Sequence, residues 1–189
     1  MKVISGIFKG RKLVCRGKYK IRPTCRMIRK AIFDTLGSWV EGKKVLDIFS
    51  GSGSLGLEAL SAGAKQVFFI EENSALVNRL RDTVSSLGMQ ECCVCLQGKV
   101  EKILGKLSGE SFNLVLADPP YALASEQIEK IFNLILEKNL MEPEGFFILE
   151  RPSWQESVYP SGYSVWKEKK YGQTVLTYFR PVINRKSRT

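Results

Sequence analysis

Four residues, Asp118-Pro119-Pro120-Tyr121, stand directly after the apolar run Phe112–Ala117 and carry the side-chain types needed to handle a flat amine. Two successive prolines fix the backbone and remove two N–H donors. The Asp118 carboxylate and the Pro119 carbonyl can then converge as acceptors, while Tyr121 offers an aromatic face for a planar base. The implied target is an NH2 on a ring. Its nitrogen lone pair is delocalised into the ring, so it is a poor nucleophile. Two acceptors on the amino hydrogens favour a pyramidal nitrogen as charge develops, and stacking holds it in line with an incoming electrophile. No strong base is needed, because the proton becomes acidic once the new bond to nitrogen has formed. The chain has no histidine. That excludes Ser-His-Asp and Cys-His nucleophile systems and histidine-bound zinc, and no metal is expected.

A second group lies upstream, in Asp47-Ile48-Phe49-Ser50-Gly51-Ser52-Gly53-Ser54-Leu55-Gly56. Gly51 and Gly53 permit a tight turn and close backbone approach to a ligand, and the helix that follows presents free N–H groups. Gly51-x-Gly53-x-x-Gly56 matches the dinucleotide fingerprint literally. Two acids change that reading. Asp47 is expected to end a strand with its carboxylate facing the ligand, where a pyrophosphate gains little. Glu71 follows 24 residues after Asp47 and can accept hydrogen bonds from both ribose hydroxyls. Together they suit S-adenosylmethionine, a cationic nucleoside without phosphate, better than NAD.

The elements that must position these groups are legible from periodicity. Apolar runs recur at Val45–Phe49, Val67–Ile70, Cys92–Leu96, Phe112–Ala117 and Phe146–Leu149. The gaps between them hold the expected helices Leu55–Ala62, Ser74–Leu87, Val100–Leu107 and Ser125–Leu136. Short apolar runs separated by helices indicate parallel strands buried on both faces, hence a doubly wound α/β sheet. After Arg151 helices stop. Tyr163–Lys167 and Thr174–Phe179, joined through Lys169–Gln173, read as a closing antiparallel hairpin. Before the core, Lys2–Phe8 and Lys12–Cys15 read as short strands, and Thr24 is expected to cap a helix running to Leu36 with Gly37 as its stop. Met27, Ile28, Ala31, Ile32 and Leu36 form its apolar stripe, and Arg22, Arg26, Arg29 and Lys30 a basic face. The expected divisions are a basic appendage over residues 1–42, the catalytic domain over 43–180 and a basic tail over 181–189.

Charge follows those divisions. Residues 1–44 carry 13 Lys/Arg against two acids, residues 45–179 carry 12 against 17, and residues 180–189 carry four basic residues and no acid. A basic segment beside a mildly acidic domain suits a docked polyanion, with nucleic acid favoured over an anionic membrane. No apolar run approaches the roughly 20 residues that cross a bilayer, and the first residues lack an apolar signal region. Cys92, Cys93 and Cys95 sit in an apolar run and read as buried free thiols. A cytoplasmic protein is expected, with nothing indicating an obligate oligomer, so a monomer.

At this point the sequence resembles a known family. Asp47–Gly53, Glu71 and Asp118–Tyr121 look like the blocks of class I S-adenosylmethionine-dependent methyltransferases acting on amino nitrogen. Ser5–Leu13, Arg22-Pro23-Thr24, Ala31-Ile32-Phe33 and Tyr171-Gly172-Gln173-Thr174 resemble the flanking signatures of the RsmD-type 16S rRNA guanine-N2 methyltransferases, over about residues 1–180. The resemblance implies a Rossmann-like seven-stranded sheet and N2 methylation of guanine 966, in the usual rRNA numbering, on an assembling small ribosomal subunit. It implies that Asp47, Phe49, Gly51, Gly53 and Glu71 line the donor site, which also holds the product S-adenosylhomocysteine. Asp118, Pro119 and Tyr121 would hold the guanine. Arg11, Lys12, Arg22, Thr24, Arg26 and Arg29 would contact RNA. The chain departs from the family at Cys25-Arg26-Met27 and Lys30, which make the helix more basic. It departs again at Gln97-Gly98-Lys99, where many methyltransferases carry Asp or Asn for the adenine amino group, leaving that contact to backbone or to Gln97. The Asp-Pro-Pro-Tyr block serves adenine-N6 methylation of DNA or RNA equally well. An NAD-dependent oxidoreductase or a non-catalytic RNA-binding domain are the remaining alternatives.

Overall fold

Apolar strands covered on both sides dictate three layers, and the chain builds them. A computed structural model describes Gly6, Gly10 and residues 23–182, with side chains from Arg26 onward. The expected strands Lys2–Phe8 and Lys12–Cys15 therefore lie outside the described residues, as does the tail beyond Val182. Five strands run parallel: β1 (Lys44–Ile48), β2 (Gln66–Glu71), β3 (Cys93–Gln97), β4 (Phe112–Ala117) and β5 (Met141–Pro152). β6 (Tyr163–Tyr171) and β7 (Thr174–Pro181) close the sheet antiparallel, in the order β3-β2-β1-β4-β5-β7-β6. The sheet has seven strands in the expected mixed arrangement.

Side-chain alternation assigns the two faces. Val45, Val67, Phe69, Leu114, Leu116, Phe146 and Ile148 pack with α1 (Pro23–Leu36), α2 (Ser54–Ser61) and α3 (Ser74–Ser86). Leu46, Ile48, Phe68, Ile70, Val115 and Phe147 pack with α4 (Val100–Leu104) and α5 (Ser125–Glu137). Helices on opposite faces of strands on either side of β1 put the reversal of strand order between β1 and β4. In doubly wound sheets, ligands bind at that point, outside the carboxyl ends of the strands.

Several expectations change. α1 begins at Pro23, a residue suited to a first helical turn, so Thr24 lies inside the helix rather than at its cap. The helix is not separate from the core. Ile28, Ile32, Phe33 and Leu36 are buried in the same cluster as the sheet, each worth about 1.5–3 kcal/mol against exposure. Met27, expected in the apolar stripe, is 48% exposed, and Phe33 takes its place. Beyond Gly37 the chain continues as a short 3-10 turn to Val40. The three cysteines are free but half-buried, because β3 is the sheet's edge. Burial raises the Cys93 and Cys95 thiols above the ordinary range. β5 extends well past its apolar run because β4 and β7 pair along its flanks. The hairpin turn is only Gly172-Gln173, since Lys169 and Lys170 remain paired in β6.

Candidate active site

The turn after β1 places three residues in the left-handed region: Phe49 (φ 59°), Gly51 (φ 53°) and Gly53 (φ 74°). For a bulky residue such as Phe49 that conformation costs on the order of 1–3 kcal/mol, and such strain clusters at binding sites. A side chain at Gly51 would meet nothing nearer than the Phe49 carbonyl at 4.0 Å, so its backbone is open to a ligand. Gly56 serves packing instead. A Cβ there would lie 2.3 Å from the Phe69 ring, because α2 presses onto β2.

Two acids hold this turn by its amides. Gly56 N–H donates to the Asp47 carboxylate at 2.9 Å. Asp47 is only 1% exposed, on the α2 side of β1. Burial pushes its carboxyl from 3.8 up to about 8, opposed by the Gly56 hydrogen bond and reinforced by Asp118 and Glu71. The expectation that Asp47 faces a ligand is therefore corrected: it fixes the start of α2 from beneath. The electrostatic preference for a cationic nucleoside then rests on Glu71 and Asp118. Glu71 is half-buried and accepts from Gly51 N–H and Asn73 N–H, both at 2.8 Å. Each carboxylate oxygen has a second lone pair, so acceptance from ribose hydroxyls remains open. Asn73 caps α3 through its Oδ1. Next to it, Gly98 N–H donates to the Glu71 carbonyl at 2.9 Å, and Gln97 is exposed at the end of β3.

The second half of the site follows β4. Ile48 of β1 is registered with Ala117 of β4, so Asp118 emerges beside Phe49. Asp118 is exposed, Pro119 is buried and Tyr121 is 38% exposed. Leu123 N–H donates to the Pro120 carbonyl at 2.8 Å and closes the turn. The glycine turn, Glu71 and the Asp118–Tyr121 block thus meet at one end of the sheet. A buried backbone, two acceptors and an aromatic ring stand across from an open glycine turn. That geometry can juxtapose a nucleoside donor with a planar acceptor. Among the described residues, no group of three or more His, Cys, Asp or Glu is arranged to hold a metal ion.

The basic residues divide. Arg11, Lys12 and Arg22 lie outside the described residues, and Thr24 is described in backbone only. Arg26 is exposed. Arg29 is not on the basic face: it is 3% exposed, and its Nε lies 3.8 Å from the buried Glu58 Oε2 of α2. The expectation of an RNA contact by Arg29 is corrected accordingly. Lys30 is exposed and paired with Asp34 at 2.5 Å.

Sequence reasoning missed the segment after β5. Trp154 meets Tyr121 edge to face, with ring centroids 6.1 Å apart at 85°. Beneath it, the buried Arg151 guanidinium donates to the Gln155 carbonyl at 2.9 Å and to Ser157 Oγ at 2.6 Å. The available signal was the switch from apolar to polar residues at Glu150-Arg151, at the carboxyl end of a sheet strand.

Residues 1–180 match the family model described as conserved hypothetical protein 95. The chain is similar to ribosomal RNA small subunit methyltransferase D of Haemophilus influenzae, 29% identical over 174 residues, covering 91% of this chain and 89% of that protein. The protein of the same name from Escherichia coli K12 is 28% identical, covering 95% of this chain and 89% of its own length. Among solved structures, the Escherichia coli protein yhhF superposes with a TM-score of 0.84 at 28% identity, covering 96% of this chain and 97% of that one.

Proposed function

The chain belongs to the conserved hypothetical protein 95 family, and from that premise we propose that it transfers a methyl group from S-adenosylmethionine to the exocyclic N2 of a guanine in 16S rRNA. The observation that carries this reading is the convergence of the glycine turn and the Asp118–Tyr121 block at the β1/β4 reversal. Relatives named as small-subunit rRNA methyltransferases, matched over most of the chain, support the substrate class.

The residues fit the donor. Gly51 leaves room for close backbone approach, and Glu71, already fixed by two amides, retains acceptor capacity for ribose hydroxyls. When bound, S-adenosylmethionine supplies an electrophilic methyl on a sulfonium centre. The rest is done by this chain. Tyr121 stacks the acceptor base. The Asp118 carboxylate and the Pro119 carbonyl accept the two amino hydrogens and so favour a pyramidal nitrogen as positive charge develops. Asp118 stands at the surface, where the released proton can pass to water. The target base has to leave its stack to reach Tyr121. In this reading the protein acts as a cytoplasmic monomer on a small-subunit assembly intermediate, and the exposed face of α1 tracks the phosphate backbone.

The test uses isotopically labelled S-adenosylmethionine and small subunits from a strain lacking guanine-N2 methylation, with the labelled nucleoside identified by mass spectrometry. N2-methylguanosine at one site is the expected result. N6-methyladenosine would keep the donor site and the Asp118 role but overturn the guanine assignment. Absence of label despite donor binding would overturn the rRNA substrate.

A further inference from the structure

Trp154 is 68% exposed, more than any other large apolar side chain among the described residues. Exposure of an indole on a loose loop would be unremarkable, but this backbone is tied down. Ser153 N–H donates to the Gln173 carbonyl at 2.8 Å, joining the segment to the β6–β7 turn. Gln155 N–H donates to the Pro152 carbonyl at 3.1 Å, and Gln155 Nε2 to the Leu123 carbonyl at 3.0 Å, two residues beyond Tyr121. Arg151, buried to 6% exposure, holds the Gln155 carbonyl and Ser157 Oγ from below. The residues on both sides of Trp154 are thus fixed to the β6–β7 turn, to the turn after β4 and to Arg151. The ring itself is left in solvent, at right angles to Tyr121.

Two exposed aromatic rings in contact, one of them on a tied-down backbone, offer a surface to a planar base. The ring geometry narrows the mode. A base sandwiched between two parallel rings needs about 7 Å, two spacings of about 3.5 Å. The centroids here are 6.1 Å apart and the planes cross at 85°, so the pair forms a corner rather than a slot. A planar base stacked on one ring brings its edge to the other. We propose that Trp154 is a substrate-positioning residue, the second wall of an aromatic corner with Tyr121. The corner fixes the rotation of the acceptor base in its plane and so aims the amino group at Asp118 and Pro119. The inference rests on the proposed reading that the acceptor is a nucleobase.

The test compares wild type, Trp154→Ala and Trp154→Phe in the full chain. Methyl transfer to undermethylated small subunits is measured as kcat and KM, alongside equilibrium binding of labelled S-adenosylmethionine. Without the aromatic contact to the edge of the base, Trp154→Ala should show a KM for subunits raised up to about tenfold. kcat should fall as well, by about tenfold, because the amino group is no longer aimed, Trp154→Phe should recover most of both, and donor binding should not change. Wild-type kinetics in Trp154→Ala would overturn the role of Trp154 while leaving the proposed reaction intact. Loss of donor binding in step with activity, or failure of Phe to rescue, would also overturn it, by assigning Trp154 to the fold. A wild-type chain that binds the donor but labels no subunit would overturn the proposed reaction, and this inference with it.

Discussion

The ion pair between Arg29 and Glu58 gives the most direct test of how α1 is held. Both side chains are almost wholly buried, at 4% and 1% exposure, and the pair joins α1 to the helix that starts at the glycine turn. Changing Glu58 to Leu removes one acidic partner of this guanidinium, whose charge stays in the interior. Removing one partner of such a pair costs about 3–5 kcal/mol. That is a large part of the roughly 5–15 kcal/mol available to a domain. At this chain length each kcal/mol moves the melting temperature by about 2–4 °C, so Glu58→Leu should melt on the order of 10 °C lower. The double change Arg29→Met/Glu58→Leu removes both charges at similar volume, and should return to within about 2 kcal/mol of wild type or exceed it. Urea unfolding of the wild type, both single variants and the double variant measures the coupling. Single variants destabilised by less than about 1 kcal/mol would refute the reasoning. So would a double variant destabilised by the sum of the two, because additivity means that the two side chains are not coupled.

Three further outcomes follow from the site. Asp118→Ala should lower methyl transfer by on the order of 100-fold or more while leaving donor binding nearly intact, and parallel loss of both would show that Asp118 belongs to the donor pocket. The raised Asp47 carboxyl sets a pH dependence of stability. Between its ordinary 3.8 and about 8 the folded chain holds a proton that the unfolded chain has released, so this residue's contribution to stability falls as pH rises through that window. The slope approaches about 1.4 kcal/mol per pH unit. Asp47→Asn should flatten it in urea titrations at several pH values, and parallel wild-type and variant curves would contradict the assignment. Replacing the exposed Arg26 and Lys30 together should reduce the salt slope of RNA binding by about 2, near one for each phosphate no longer neutralised, and an unchanged slope would move the RNA surface off α1.

Much of the architecture is readable because strands covered on both faces leave unbroken apolar runs. The runs that mark β1, β2 and β4 end within a residue of the observed strands. β3 is less buried than its run suggests, because an apolar run does not say which strand lies at the edge. At the site, the two blocks are legible from residue type and order, and their meeting follows from the strand order between β1 and β4. Asp47 and Arg29 depart from expectation for one reason. Charged side chains ordinarily seek solvent, whereas Asp47 lies inside a strand covered by helices and Arg29 meets an acid 29 residues away on another helix. No local pattern records such a pairing. The placement of Trp154 is equally non-local, since it depends on the β5–β7 pairing that brings Ser153 beside Gln173.

The position of β1 beside β4 also governs how the molecule is made. Lys44 N–H donates to the Asn113 side chain across a separation of 69 residues, so a chain growing from its first residue exposes one bare edge of β1 until β4 has been added. At about 5–20 residues per second that interval lasts several seconds. Through that interval the edge can pair with a wrong strand or with another chain. β2, which needs only the next helix to arrive, protects the opposite edge much sooner. The β4 side of β1 is therefore the edge that stays exposed longest, well after β2 has covered the other, while the ribosome is still translating the middle of the chain.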